Sequence, residues 1–352
     1  MDDRSIAFLK KLLATPGPSG DEAAAGRVWR EEAATFADRT WADVGGSSYA
    51  VLEGGAPRVL LAGHIDEIGL MVTHIDDEGY LWFAPVGGWD AQVLVGQRVR
   101  LLGRHGEVVG VIGKKPIHIM KQDEREKASK IEDLWIDIGA ASRAEAEERV
   151  RVGCAAVLDA PVYDFPNGRL VSRSIDDRIG AFTVLEALRL LSRDRPRATV
   201  AAVATSQEEI TFAGARTAAY SFDPQAAIAV DVTFATDHPN SEKRQHGSVK
   251  LGGGPVLSRG SANSPVVYQM LLEAAEREGI PYSLQATPRY TGTDADAIHV
   301  ARGGVASGVI SIPNRYMHSP NEMIQLSDVE QAARLIAAFV RALTPETDFI
   351  PR

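Results

Sequence analysis

One cysteine in 352 residues, Cys154 in the Val- and Ala-rich run RVRVGCAAVLD, excludes an intrachain disulfide and fits a reducing compartment. Nothing in that run would stabilise a thiolate, so Cys154 reads as a small packing residue and not as a nucleophile. No stretch approaches the ~20 apolar residues that cross a bilayer. No Lys/Arg-rich block accompanies the formal charge of −9. Neither a membrane nor nucleic acid is therefore expected as a partner. The opening segment, MDDRSIAFLKKLLATPGPSG, turns polar before an apolar core develops, unlike a signal or transit peptide, and a cytoplasmic protein is expected. Internal repeats and low-complexity linkers are also missing.

What is present is a globular composition, 45% hydrophobic and 24% charged, over a length that suits two domains. Residues 4–14 carry apolar side chains at helical spacing (Ile6, Leu9, Leu12, Leu13), and PGPSGDE breaks that helix and begins another. RVLLA, residues 58–62, reads as a short buried strand. From about 70 to 160 the texture changes to short, partly alternating segments between glycines and charged turns, with one helical stretch at SRAEAEERV. This is a β-rich, barrel-like or sandwich module. Beyond residue 170 helix and strand alternate: RIGAFTVLEALRLL, with Ser174 or Asp176 as its cap, then ATVAAVAT, AAIAVDV, a helix at 263–279, GVISI and a helix at 327–343. The pattern predicts an α/β sandwich with a mixed, largely parallel sheet that includes RVLLA. The β-rich module at 68–163 then interrupts one larger domain made of 1–67 and 164–352.

In open α/β sheets, functional groups collect beyond the carboxyl ends of the strands. RVLLA leads into His64 and Asp66, ATVAAVAT into Glu208 and Glu209, AAIAV into Asp231, and GVISI into the loop with His318, while Asp176 begins a helix that packs on the same sheet. Each residue has a plainer reading. His64 and His318 are loop histidines, Asp66 a turn former, and Asp176 and Asp177 helix caps. Asp66 is equally suited to hold the imidazole of a ligating histidine. Glu208 and Glu209 repel one another unless a cation or a proton intervenes. Asp231, inside the apolar run IAVDV, bears a large desolvation cost unless it is paired or coordinates a metal. Together, two histidines and several carboxylates form a set that a pair of divalent ions accepts. The remaining histidines (His74, His105, His118, His238, His246, His299) read as surface or packing residues.

With these residues laid out, the chain resembles the TET-type di-metal aminopeptidases, a family of tetrahedral, dodecameric metallopeptidases. The matching runs are GHIDEIGLMV, GVIGKKPIH, SIDDRIG, TSQEEI followed by GAR, IAVDV, GTDADAIHVARGGV and IPNRYMHSPNEMI, in the family order and over nearly the whole chain. The resemblance implies that His64, Asp176 and Asp231 hold one metal and that Asp176, Glu209 and His318 hold the other. It makes Glu208 the general base, Asp66 the residue orienting His64, and 68–163 a dimerisation domain. Two divalent ions per subunit (zinc or cobalt, with manganese the further option), short peptides with a free N-terminus, and homodimers assembling to a dodecamer are the implied cofactors and partners. Arg315 and the turn from Gly292 to Ala297 are further candidates near the site. The rivals are a di-metal N-acyl amino acid deacylase or carboxypeptidase-like hydrolase, which would use arginine to bind a substrate carboxylate, a glycoside hydrolase, and an inactive assembly protein.

Overall fold

A computed structural model describes all 352 residues. The chain begins with two helices, Asp3–Ala14 and Ala23–Ala33, whose apolar stripes (Leu9, Leu12 and Leu13; Trp29) are fully buried. Asp2 caps the first by accepting the Ser5 N–H at 2.9 Å. Three strands follow: β1 (Arg39–Ala42), β2 (Ser48–Leu52) and β3 (Gly55–His64). The chain then leaves to build β4 (Gly69–Ile75), β5 (Leu81–Val86), β6 (Arg98–Gly103), β7 (Gly106–Gly113), β8 (Trp135–Asp137) and β9 (Ala155–Leu158), which close into a barrel in the order β4-β5-β8-β7-β6-β9. Leu70, Val72, Leu81, Val99, Leu101 and Ile136 give this barrel its own core. A hairpin of β10 (Tyr163–Phe165) and β11 (Arg169–Ser172) leads back to the long helix Ile175–Arg193.

The rest of the chain supplies β12 (Ala198–Thr205), β13 (Ala226–Phe234), β14 (Val256–Gly260), β15 (Ser283–Thr287), β16 (Ala306–Asn314) and β17 (Glu322–Gln325). β17 joins β10 and β11 in a small sheet. The main sheet has eight strands in the order β1-β2-β12-β3-β13-β16-β14-β15. Its centre, β12-β3-β13-β16, is wholly parallel, and β2 and β14 join antiparallel on either side. The fold is thus the expected α/β sandwich with a mixed, largely parallel sheet, beside a closed barrel.

Both faces of the sheet are covered, which is why its strands read as unbroken apolar runs and not as alternation. On β3, Val59 and Leu61 pack with the helices Asp3–Ala14, Ala23–Ala33, Ile175–Arg193, Pro265–Glu278 and Leu326–Arg341. Leu60 and Ala62 face the opposite layer, where Ala215, Ala218 and Ile298 come from the helices Ala213–Phe222 and Ala295–Ile298. The helix Ile175–Arg193 presses hardest on β3 at Gly63, where a Cβ would lie 2.4 Å from the carbonyl carbon of Gly180. Only glycine permits that approach.

Candidate metal centre

β3 ends at His64, and the adjacent parallel strand β12 ends at Thr205, its register partner. The next residues after Thr205 turn into the short helix that begins with Glu208 and Glu209. Asp66 ties these two strand ends together, because its Oδ1 and Oδ2 accept the Glu208 and Glu209 N–H groups at 3.1 and 3.2 Å. Asp231 lies within β13, opposite Ser311 of β16, and His318 follows β16. His64, Glu208, Glu209, Asp231, Ser311 and His318 line one cavity of about 330 Å³, whereas Thr205 and Asp66 do not.

Asp176 stands at the centre. Its Oδ1 is 3.2 Å from His64 Nε2, and its Oδ2 is 3.3 Å from His318 Nε2. Glu208 Oε2 lies 3.6 Å from the first imidazole and Glu209 Oε1 3.5 Å from the second. The donor atoms of His64, Asp176 and Asp231 all fall within 4.8 Å of one another, as do those of Asp176, Glu209 and His318. Neither Ser174 nor Asp176 caps the helix behind them, contrary to the expectation. Ser174 donates its hydroxyl to the Leu13 carbonyl, and Asp176 has non-helical backbone angles. Asp177 takes the capping role, accepting the Gly180 N–H at 3.0 Å, and its other oxygen accepts the His64 N–H at 3.2 Å. Two adjacent aspartates thus divide the work, one stabilising the backbone and the other entering the cavity.

The imidazoles are held from behind. His318 Nδ1 is 2.7 Å from the carbonyl of Gly88, a residue in the loop after β5 of the barrel. His64 Nδ1 faces the Asp66 carbonyl at 3.1 Å and the Asp66 carboxylate at 3.4 Å. With a proton on each Nδ1, each Nε2 turns a lone pair toward carboxylate oxygens. Acceptors facing acceptors require a proton or a cation between them.

The charge balance points the same way. Four carboxylates (Asp176, Glu208, Glu209, Asp231) share the cavity with two imidazoles, so even full protonation of both histidines leaves two negative charges unmatched. Burial pushes Glu208 up to about 10, with Asp231, Asp294 and Glu209 adding to the rise against the pull of His64. Burial likewise lifts Asp231 well above its ordinary value, helped by the charge of Asp176. For His318, burial opposes protonation, but Asp176 and Glu209 outweigh it and raise the imidazole to about 11. Glu209 Oε1 is buried and has no hydrogen-bond partner. Mixed N/O donors, excess negative charge and an orphaned carboxylate oxygen are what divalent ions satisfy. The residues fit such ions.

Several contributors lie outside the residues singled out from sequence. Glu322 is buried, accepting the His318 N–H at 2.9 Å and the Asp176 N–H at 3.0 Å, and so joins two segments of the cavity. It opens β17 directly after Ser-Pro-Asn, so the sequence does not mark it as an apolar run marks Asp231. Glu67 receives Gly17 N–H at 3.1 Å and Arg178 Nη2 at 2.8 Å on Oε1, and pairs with Arg173 through Oε2. This buried trio braces the loop after His64 against the start of the helix Ile175–Arg193. Of the weaker candidates, Gly292 and Thr293 line the cavity, together with the preceding Thr291, while Asp294 to Ala297 and Arg315 do not. Arg315 is committed to Asp237, with contacts of 2.9 Å from Nε and 2.7 Å from Nη2. His118 lies in an exposed turn of the barrel.

A profile described as M42 glutamyl aminopeptidase matches residues 46–335. A lysyl aminopeptidase of Pyrococcus furiosus is 38% identical over 350 residues, which cover 98% of this chain and 99% of that protein. A TET aminopeptidase from a marine sediment Thaumarchaeota archaeon has the same fold with a TM-score of 0.93, 38% identity and 97% coverage of both chains. The TET1 peptidase of Pyrococcus horikoshii, which can assemble into a tetrahedron or a large octahedral shell, gives a TM-score of 0.86 at 34% identity over 96% of this chain and 100% of that one. No helix here is long and apolar enough to cross a membrane.

Proposed function

Starting from a chain that belongs to the M42 glutamyl aminopeptidase family and is a metal-dependent aminopeptidase, we propose that the cavity is a two-ion centre with Glu208 as its general base. One observation carries the reading: the two oxygens of Asp176 each face a different imidazole, which suits a carboxylate shared by two ions. His64 and Asp231 would complete one position, and Glu209 and His318 the other. Zinc or cobalt matches this mixed His/carboxylate set, with manganese the further option. Bound divalent ions would supply Lewis acidity toward the scissile carbonyl and bring a water's pKa toward neutrality.

The chain's own groups do the rest. Glu208 accepts a proton from the attacking water and returns it to the departing amine nitrogen. As a base it must be ionised, and the cations that the ligand set attracts are what lower it from about 10. Asp66 keeps His64 in its Nδ1–H form and holds the Glu208 backbone in place. Carboxylate oxygens beside the ions, from Glu208 and Glu209, would receive the free α-amine of a short peptide and confine cleavage to its first residue. No arginine or lysine lines the cavity to receive a substrate carboxylate, which speaks against a carboxypeptidase or N-acyl deacylase. The likeness to tetrahedron-forming TET1 supports a homo-oligomer, with the barrel of residues 68–163 as its dimerisation domain and the dodecamer as the complete particle.

Metal analysis alongside hydrolysis tests the assignment. Free-amine aminoacyl anilides should be cleaved and their N-acetylated forms spared, with activity lost to a chelator and restored by zinc or cobalt. Asp176→Asn should empty both positions and His318→Ala one. Equal metal loss in the two variants, or cleavage of blocked substrates, would refute it.

A further inference from the structure

The charged groups of the cavity all lie at its floor, in His64, Asp176, Glu208, Glu209, Asp231 and His318. The wall that rises from there crosses the sheet toward its edge, over β13, β16, β14 and β15. Along it stand Phe234, Val309, Ser311, Ser258, Gln285 and Thr287. No Lys, Arg, Asp or Glu is among the wall residues. Arg259 and Arg289 are close in sequence to Ser258 and Thr287, yet neither lines the cavity, and Arg315 is held by Asp237. Gln285 is the central wall residue of the edge strand. It pairs in register with Ser258, its Oε1 accepts the Thr233 hydroxyl at 3.1 Å, and Thr287 lies two residues on along the same face. The Thr287 hydroxyl oxygen is buried within the wall and has no partner in the protein.

We propose that this wall receives the side chain of the substrate's first residue and selects uncharged ones, aliphatic or amide, with Gln285 setting the preference. The inference rests on the aminopeptidase reading of the cavity. An N-terminal lysine or glutamate would enter with its charge stripped of water and meet no counter-charge on the wall. A leucine, methionine or glutamine side chain finds among the lining residues both apolar groups, Phe234 and Val309, and hydroxyl and amide groups able to donate and accept. At about 330 Å³, shared with the floor groups, the cavity is at the small end of ligand sites and suits one medium side chain.

The experiment compares kcat/KM of the metal-loaded protein on leucyl, methionyl and glutaminyl anilides with lysyl, arginyl, glutamyl and aspartyl ones. Uncharged substrates should lead by about tenfold or more, the scale at which pockets discriminate. Gln285→Glu should raise the lysyl-to-leucyl ratio by about tenfold, and Gln285→Lys the glutamyl-to-leucyl ratio similarly. In parallel, melting-temperature shifts on adding free amino acids report occupancy without turnover, and leucine and glutamine should stabilise more than lysine and glutamate. Wild-type protein best on a charged residue, or folded Gln285 variants with unchanged ratios, would overturn the proposal. If no anilide is cleaved, the roles given to Glu208 and the metal ligands fall, while the order of amino-acid stabilisation still upholds or overturns the pocket.

Discussion

Replacing Glu67 with glutamine keeps the shape of a buried side chain and removes the single negative charge between two buried guanidiniums. Glu67 and Arg173 are nearly inaccessible, and Arg178 is wholly so. Burial already depresses Arg178 to about 10 in spite of the Glu67 charge that opposes it. Breaking a buried pair by removing one partner costs about 3–5 kcal/mol. Arg178 retains backbone acceptors at Ile65 (3.0 Å) and Leu12 (3.1 Å), which argues for the lower end. An unfolding entropy of about 2.1 cal/mol/K per residue gives roughly 0.7 kcal/mol/K for this chain, so ~3 kcal/mol becomes a fall in Tm of about 4 °C. The effect should also depend on pH. Burial opposes ionisation of Glu67, but Arg173 and Arg178 outweigh it and hold the carboxyl below its ordinary value. Its contribution is therefore complete above the unfolded carboxyl pKa of about 4.3 and is lost as pH falls through the lower folded value. Melting curves followed by circular dichroism at neutral pH and at successively lower pH should show a gap between wild type and Glu67→Gln that narrows with acidification. A Tm within about 1 °C of wild type at neutral pH would refute the reasoning, since it would mean the charge contributes about 0.7 kcal/mol or less.

Glu208→Gln should lower kcat by about 10²–10⁴-fold, the usual contribution of a general base, with metal content unchanged by elemental analysis. Loss of metal in that variant would make Glu208 a ligand instead. At pH 7 the metal-free protein holds protons on Glu208, at about 10, and on His318, at about 11. Ion uptake should therefore release protons, visible by calorimetry in buffers of different ionisation enthalpy, and affinity should weaken as pH falls, about tenfold per pH unit for each proton released. Gly63→Ala places a Cβ 2.4 Å from the Gly180 backbone and should destabilise by about 1–3 kcal/mol, seen as a lower denaturant midpoint.

Much of the cavity was legible because parallel strands deliver their next residues to one edge, and the apolar runs RVLLA, ATVAAVAT, AAIAV and GVISI mark those strands without ambiguity. Asp231 stood out because nothing else in its strand is charged. Spacing could not assign Asp176 and Asp177, since a cap and a ligand occupy the same place before a helix and only backbone geometry tells them apart. Glu322 was beyond the argument used for Asp231, because it follows Ser-Pro-Asn and opens its strand instead of interrupting an apolar one. Gly88 was out of reach too, because it acts through a carbonyl whose position depends on how the barrel docks. The edge strands β14 and β15, which form much of the cavity wall, are short and mixed in polarity, so no periodicity announced VLSRG or SLQAT.

The carbonyl of Gly88 has a thermodynamic consequence. It is the acceptor for a proton on His318 Nδ1 and comes from a loop that belongs to the barrel, so the imidazole's readiness to bind an ion would vary with where the barrel sits. Linkage of this kind runs in both directions with equal free energy. Ions taken up at His318 would brace the barrel, and a barrel clamped against a neighbouring copy would hold those ions more tightly. Metal supply and particle assembly would then be two readings of a single equilibrium, and scarcity of the ion would register in both together.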